Sequence, residues 1–210
     1  MNARRMLTWA ATILLNSAYP AAAQSWDSPS FFSPGPHDDL GLYLIDADGG
    51  DVGILGMWRQ SGGQFDLGIR AGIGGRSGDR TVLVGAEFAG DLVTRGQAQP
   101  FGVSWLVGAG ASFDGTTWLR IPAGVSIGIG IPGPSFLVTP YVHPRLAIDI
   151  FSFDTADGDE TNTELNIDVD IGADLRLGDS WTIRIGGTSG EVDAIGIGFA
   201  YRFQRRAEVR

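Results

Sequence analysis

The feature that most constrains this chain is a two-residue period. Phe65, Leu67, Ile69, Ala71 and Ile73 alternate with Asp66, Gly68, Arg70, Gly72 and Gly74. Side chains two apart share one face of a β-strand, whereas one face of a helix needs spacings of three and four. The same alternation recurs near residues 40–46, 51–59, 64–74, 80–91, 100–113, 117–131, 136–151, 163–177, 180–187 and 192–203. Turn signals separate these segments, among them Ser61-Gly62-Gly63, Asp114-Gly115, Pro132-Gly133-Pro134 and Gly178-Asp179. The pattern predicts an all-β fold, a closed antiparallel up-and-down barrel of ten strands, with eight as the alternative.

What precedes the strands divides in two. Arg4 and Arg5, the apolar run Met6 to Leu15 and the small residues Ala21-Ala22-Ala23 have the layout of a signal peptide over residues 1–23, with cleavage expected before Gln24. That apolar run is far short of the roughly 20 residues a membrane helix needs, so any membrane insertion must use strands. Residues 24–39, with Pro29, Pro34, Pro36 and several serines, read as an extended leader, expected to be disordered or loosely packed. The barrel is expected over 40–203 and a basic tail over 204–210. The chain has no cysteine, which excludes a lipidated N-terminal Cys and any disulfide. Its formal net charge of −9, with Arg4 and Arg5 falling in the removed segment, disfavours nucleic acid as a partner.

Alternation by itself fits a soluble barrel with an apolar interior as well as a lipid-facing one. The polar face carries Gly102, Gly108, Gly110, Gly124, Gly128, Gly130, Gly172, Gly186 and Gly198, which suits a crowded lumen and gains nothing in water. The apolar face carries bands such as Val103, Trp105 and Val107, and Leu165, Ile167, Val169 and Ile171, which suit hydrocarbon. When the strands are threaded up and down, Trp58, Phe65, Phe101, Phe136, Trp181 and Phe203 fall at one rim, the pattern of an interfacial aromatic girdle. The opposite, extracellular side would then carry the longest loop, Phe153 to Asn162.

The last strand ends Gly198-Phe199-Ala200-Tyr201-Arg202-Phe203, similar to the C-terminal signal that outer-membrane barrels present to their assembly machinery. With this ending, residues 40–203 resemble the small bacterial outer-membrane β-barrels of the outer-membrane protein A, X and W kinds. The resemblance implies residence in the outer membrane of a Gram-negative cell, insertion by the assembly machinery through the C-terminal strand, contact with outer-membrane lipids and lipopolysaccharide, and a monomer. The family usually stops at the final aromatic, whereas here Gln204 to Arg210 follow.

Parity points Arg59, Arg70, Arg120, Arg145, Arg176, Arg184 and Arg202 into the lumen together with Asp66, Glu87, Asp91, Asp149, Asp168, Asp170 and Asp174. Balanced charge in a narrow barrel predicts bridging ion pairs and a plug, with a narrow ion path as the functional alternative. A three-residue turn at Gly178 to Ser180 sets a register in which Asp174 faces Arg184 and Leu175 faces Ile183. Pro140 and Pro144 in the seventh segment remove ladder donors, which predicts either a bend or a weakened lateral seam, with Pro140, His143 and Pro144 as its candidate residues. Such a seam would be similar in idea to the proline-interrupted strands of outer-membrane lipid A palmitoyltransferase, making a lipid-modifying enzyme one alternative. A soluble periplasmic lipocalin-like binding barrel is another.

No catalytic motif or cofactor site emerges. His37 lies in the leader and His143 in the lumen, with no Gly-Xaa-Ser-Xaa-Gly elbow, phosphate loop or metal-type His cluster. Acids cluster in two loops, Asp46, Asp48 and Asp51, then Asp154, Asp157, Asp159 and Glu160, but neither has the spacing of an EF-hand. Arg205, Arg206 and Arg210 could meet phospholipid headgroups. The leading expectation is a narrow outer-membrane barrel, plugged by lumen ion pairs, in a structural or adhesive role or as a narrow channel.

Overall fold

The computed structural model describes residues 25–47, 51–76, 79–96, 99–113, 116–155 and 158–203. The expected signal peptide, Arg205, Arg206 and Arg210, and the loop acids Asp48 and Asp157 lie outside the described residues, as do the side chains of Asp51, Asp154 and Asp159. Ten strands form: β1 (Asp39–Ala47), β2 (Asp51–Ser61), β3 (Asp66–Arg76), β4 (Asp79–Val93), β5 (Phe101–Phe113), β6 (Thr117–Ile129), β7 (Phe136–Thr155), β8 (Gly158–Leu177), β9 (Trp181–Ser189) and β10 (Ala194–Arg202). Ile131–Pro132 continue β6 for two residues against β7. Each strand pairs antiparallel with the next, and β1 pairs with β10, so the barrel closes and leaves no free sheet edge around its girth.

Alternation places the side chains as the period requires. Leu42, Ile54, Ile69, Phe88, Ile127, Leu146, Ile171, Ile185 and Phe199, from nine different strands, all point outward and are exposed. Their odd-numbered or even-numbered neighbours point into a closed lumen. In the β8–β9 hairpin Asp174 stands opposite Arg184 and Leu175 opposite Ile183, the register that the short turn predicts.

Three expectations are refined. The segment Phe153 to Asn162 is not a loop: the ladder runs on through Phe151↔Asn162, Phe153↔Glu160 and Thr155↔Gly158. β-Branched and aromatic residues on both arms, Ile150, Phe151, Thr155, Thr161 and Thr163, favour the strand despite the acids among them. Because β6 begins opposite Ser152 and β9 ends opposite Val169, this hairpin stands above its neighbours, and we call that end the hairpin rim. The other end, where β1 starts and β10 stops, is the basal rim.

Second, Pro140 and Pro144 do interrupt bonding, but on the β6 side only. No pairing falls between Gly124↔Arg145 and Ile127↔Val142, yet the register is the same on both sides of the gap. Against β8 the ladder continues through Pro140↔Ala173 and Pro144↔Val169. The prolines cost local hydrogen bonds without shifting a strand or inserting a bulge.

Third, the leader is neither loose nor disordered: residues 25–34 are all buried inside the barrel. The expectation failed because it weighed Pro and Ser and overlooked Trp26, Phe31 and Phe32. Three large aromatics in so short a stretch bury far more surface than a disordered segment offers.

Candidate functional site

The lumen is the one place where this chain concentrates chemistry, and the leader runs its length. Trp26 and Asp27 lie beside Arg120 near the hairpin rim, Ser33 reaches Asp174, and His37 reaches Asp66 near the basal rim before β1 begins. Its proline-rich composition favours an extended path, and an extended segment exposes every backbone carbonyl to the wall.

Two guanidiniums read those carbonyls. Arg59 on β2 donates to the Phe31 carbonyl at 2.8 Å and the Ser30 carbonyl at 3.1 Å, and Arg70 on β3 donates to the Pro29 carbonyl at 3.3 Å. Glu87 on β4 orients both, accepting from Arg59 Nε at 2.8 Å and from Arg70 Nε at 2.8 Å. Glu87 can reach across to β2 because the lumen position between them is Gly68; a Cβ there would stand 2.5 Å from Glu87 Cγ. This row satisfies buried charges that would otherwise be expensive.

Aromatic side chains fix the leader laterally. The Trp26 indole lies in a slot cut by glycines on β4 and β5, where a Cβ at Gly85 would be 2.1 Å and one at Gly110 2.6 Å from its ring. The Arg70 guanidinium lies 5.8 Å from the ring centroid, and Trp26 Nε1 donates to the Arg120 carbonyl at 3.3 Å. Phe31, at a φ of 49°, turns its ring toward Tyr43, with centroids 4.5 Å apart, in a cluster with Ile45, Leu55 and Met57. Phe32 packs on Ala89 and Leu106 instead. The left-handed conformation at Phe31 costs on the order of 1 kcal/mol, and it sends two consecutive rings to opposite walls.

Nearer the hairpin rim, two guanidiniums meet four carboxylates. Asp27 pairs with Arg120 at 3.2 Å and with Arg145; Arg120 also pairs with Asp149 at 3.1 Å and with Asp168. Arg145 pairs with Asp170 at 2.9 Å and donates to Ser28 Oγ at 2.8 Å. Neutral donors share the load: Trp118 Nε1 and Asn166 Nδ2 reach Asp149 at 2.7 and 2.8 Å, and Thr188 donates to Asp170. Val192, from the β9–β10 turn, packs over this cluster with Trp118, Ala47 and Ala194.

Toward the basal rim Arg184 is held by Asp39 at 2.6 Å, by Asp174 at 3.2 Å and by the Tyr43 hydroxyl at 2.6 Å. Arg176, Arg202 and Asp66 are half-buried there, and Asp91 is exposed, accepting from Ser104 Oγ at 2.6 Å. The outward aromatics Phe65, Phe101, Phe136, Trp181 and Phe203 are exposed around this rim and Trp58 is half-buried. Trp105 joins Phe65 and Tyr201 joins Trp181, contacts that strand parity alone does not reveal.

A serine, a histidine and a carboxylate do meet. Ser30 Oγ lies 2.9 Å from His143 Nδ1, and Asp170 Oδ2 lies 3.3 Å from the same nitrogen. A nucleophilic relay needs the serine and the orienting carboxylate on different ring nitrogens, and here His143 Nε2 has no hydrogen-bond partner among the described residues. All three side chains are buried, Ser30 on the leader and His143 and Asp170 on the wall. The arrangement positions the leader.

The site residues absent from the sequence expectations are chiefly those of the leader. Their signal was indirect: small lumen positions at Gly68, Gly85 and Gly110 imply something large nearby, without naming it.

No protein-family model matches the chain, and no curated protein matches it. Solved structures with a similar fold include the N-terminal β-barrel domain of Pseudomonas aeruginosa OprF, at 10% identity over 80% of this chain and 100% of that one, with a TM-score of 0.40. The KdgM porin in complex with disordered oligogalacturonate is similar at 11% identity, over 79% and 99%, with a TM-score of 0.38. Ail, the attachment invasion locus protein of Yersinia pestis, is similar at 11% identity, over 79% and 94%, with a TM-score of 0.30.

Proposed function

We propose that the chain is an integral outer-membrane β-barrel closed by its own N-terminal segment, serving a structural or adhesive role. The observation that carries the closed state is the burial of residues 25–34 along the lumen, tied to the wall by Arg59, Arg70, Arg120 and Arg145. The observation that favours lipid outside is the exposed apolar band on the strands, with Leu165 and Ile167 each at 69% and Leu42 at 62% exposure. A continuous apolar surface around a whole barrel far exceeds the few hundred Å² that soluble monomers leave bare. Among the described residues the lumen is occupied by guanidiniums, carboxylates and the leader itself, a poor match to the open apolar interior of a lipocalin-like binding barrel.

In this reading the basal rim, with its aromatic girdle, faces the periplasm and the β7–β8 hairpin faces outward, where Glu160, Thr161, Asn162 and Thr163 are exposed. Membrane lipids and lipopolysaccharide meet the outer wall, the assembly machinery reads β10, and one chain suffices as a monomer. A second reading, a narrow channel gated by the leader, is favoured by one feature: the leader is held by hydrogen bonds and ion pairs that can exchange for water.

One set of measurements tests both. The protein should stay in washed membranes, need detergent for release and show a heat-dependent gel shift. In planar bilayers the full chain should be silent, and a chain lacking residues 25–36 should conduct. Steady conductance from the full chain defeats the closed reading; release without detergent defeats the membrane reading.

A further inference from the structure

The basal end of the lumen has a charge imbalance that the closed-barrel role does not explain. Arg95 follows β4, Arg176 ends β8 and Arg202 ends β10, and all three line one cavity with the Ser33 and Thr182 hydroxyls. Thr182 pairs across to Arg176 on one side and to Ala200 on the other, so it lies between the two basic strand ends. The carboxylates of this region, Asp39 and Asp174, are both engaged with Arg184. Among the described residues neither Arg176 nor Arg202 forms an ion pair, and Arg95 donates to the Thr139 hydroxyl at 3.1 Å. The enclosed part of the cavity, about 10 Å³, is no larger than a water site, so a larger anion would meet these guanidiniums at the open mouth.

We propose that this basal mouth binds a phosphate-class oxyanion, bridged by Arg95, Arg176 and Arg202. Asp39 and Asp174 also line the cavity but are engaged with Arg184, so Arg95, Arg176 and Arg202 keep an excess of positive charge, and an anion between them reverses the sign of their mutual repulsion. Planar N–H forks match the oxygens of a phosphate group, and the Thr182 hydroxyl lies at the same cavity, whereas the Ser33 hydroxyl is already donated to Asp174 at 2.7 Å. Among the described residues the other lumen guanidiniums, Arg59, Arg70, Arg120, Arg145 and Arg184, each pair with a carboxylate, so the uncompensated positive charge of the lumen is concentrated at this mouth. The oxyanion is either free phosphate or the phosphate of a lipid headgroup at the rim. The three guanidiniums belong to the barrel wall, while Ser33, Pro34, Pro36 and His37 of the docked leader complete the lining, so the site is that of the closed barrel.

The test is calorimetric titration of the folded full chain in detergent with inorganic phosphate, at constant ionic strength against chloride. Saturable binding of one phosphate per barrel is expected, with Arg176→Gln and Arg202→Gln each weakening it about tenfold or more. Arg80→Gln, an exposed arginine near the other rim, should leave it unchanged. The gel shift shows that each variant is folded, and Arg95→Gln stands in if either fails. Repeating the titration in phosphatidylglycerol nanodiscs separates the sources: binding that persists assigns the site to free phosphate, and binding lost only in the discs assigns it to the headgroup. Heat no greater than for chloride, or equal losses from Arg80→Gln and Arg176→Gln, overturns the proposal.

Discussion

The two ends of one lumen handle charge in opposite ways. Near the hairpin rim, Arg120, Arg145 and Asp149 are no more than 3% exposed and lie in a closed network with Asp27, Asp168 and Asp170. At the basal rim, Arg176 and Arg202 are half-buried and, among the described residues, form no ion pair, Asp39 and Asp174 beside them being held by Arg184. Depth explains the contrast. An ion removed fully from water must be paired and hydrogen-bonded or it costs several kcal/mol, whereas one still wetted can remain alone. The deep end is therefore finished internally and holds the leader, and the shallow end has charge left for something from outside.

The sharpest way to break this comparison is to unpair the deep end. Arg120→Ala leaves Asp149 buried without its guanidinium and Asp168 with only Arg145 at 3.8 Å, and we expect a loss of about 3–5 kcal/mol. Urea unfolding followed by the gel shift measures it; a loss below about 1 kcal/mol would mean that water already reaches this cluster. Next comes Gly85→Ala, whose new Cβ would stand 2.1 Å from the Trp26 ring. It should expel the indole and release the leader at about 2–3 kcal/mol, read as faster proteolysis between residues 25 and 36. Trp26→Ala in the same chain should restore a slow rate if the clash is the cause. The same shortfall at the basal rim predicts the reverse sign: Arg176→Gln should change stability by no more than about 0.5 kcal/mol, and toward greater stability in phosphate-free buffer. A loss comparable to that of Arg120→Ala would show that Arg176 has a structural partner after all.

How much of this could be read beforehand follows from what a period can encode. Alternation fixes faces, so the strands, the outward band and the pairing of Asp174 with Arg184 across a tight turn were all accessible to it. It says nothing of partners across the lumen, which is why Asp39 with Arg184, or Glu87 reaching over Gly68 to Arg59, could not be deduced. The β7–β8 hairpin was shortened on paper because its acids look like loop, although Thr161 and Thr163 favour strand. The largest omission was the leader. Its prolines and serines carry a local signal for extended chain, and extended chain is what the lumen receives; whether that chain lies in water or in a barrel depends on cavities that only the assembled sheet creates.

The smallest effect concerns how the leader meets the basal rim. Burial pushes the His37 imidazole below the usual histidine range, although Asp66 beside it pulls the other way. Docked, the ring is thus held neutral, while in a released leader it takes a proton near pH 6.5. The docked state binds fewer protons, so docking is unaffected above that pH and weakens progressively as pH falls below it. Barrel carboxylates with ordinary values are still ionised at pH 5, which leaves pH 5–7 as the window for this group. Limited proteolysis of residues 25–36 should therefore quicken modestly from pH 7 to pH 5, and His37→Gln should flatten the profile, which distinguishes His37 from His143. A profile that stays steep in His37→Gln would move the titrating group away from the rim and into the deep cluster, and with it the boundary between the finished end of the lumen and the open one.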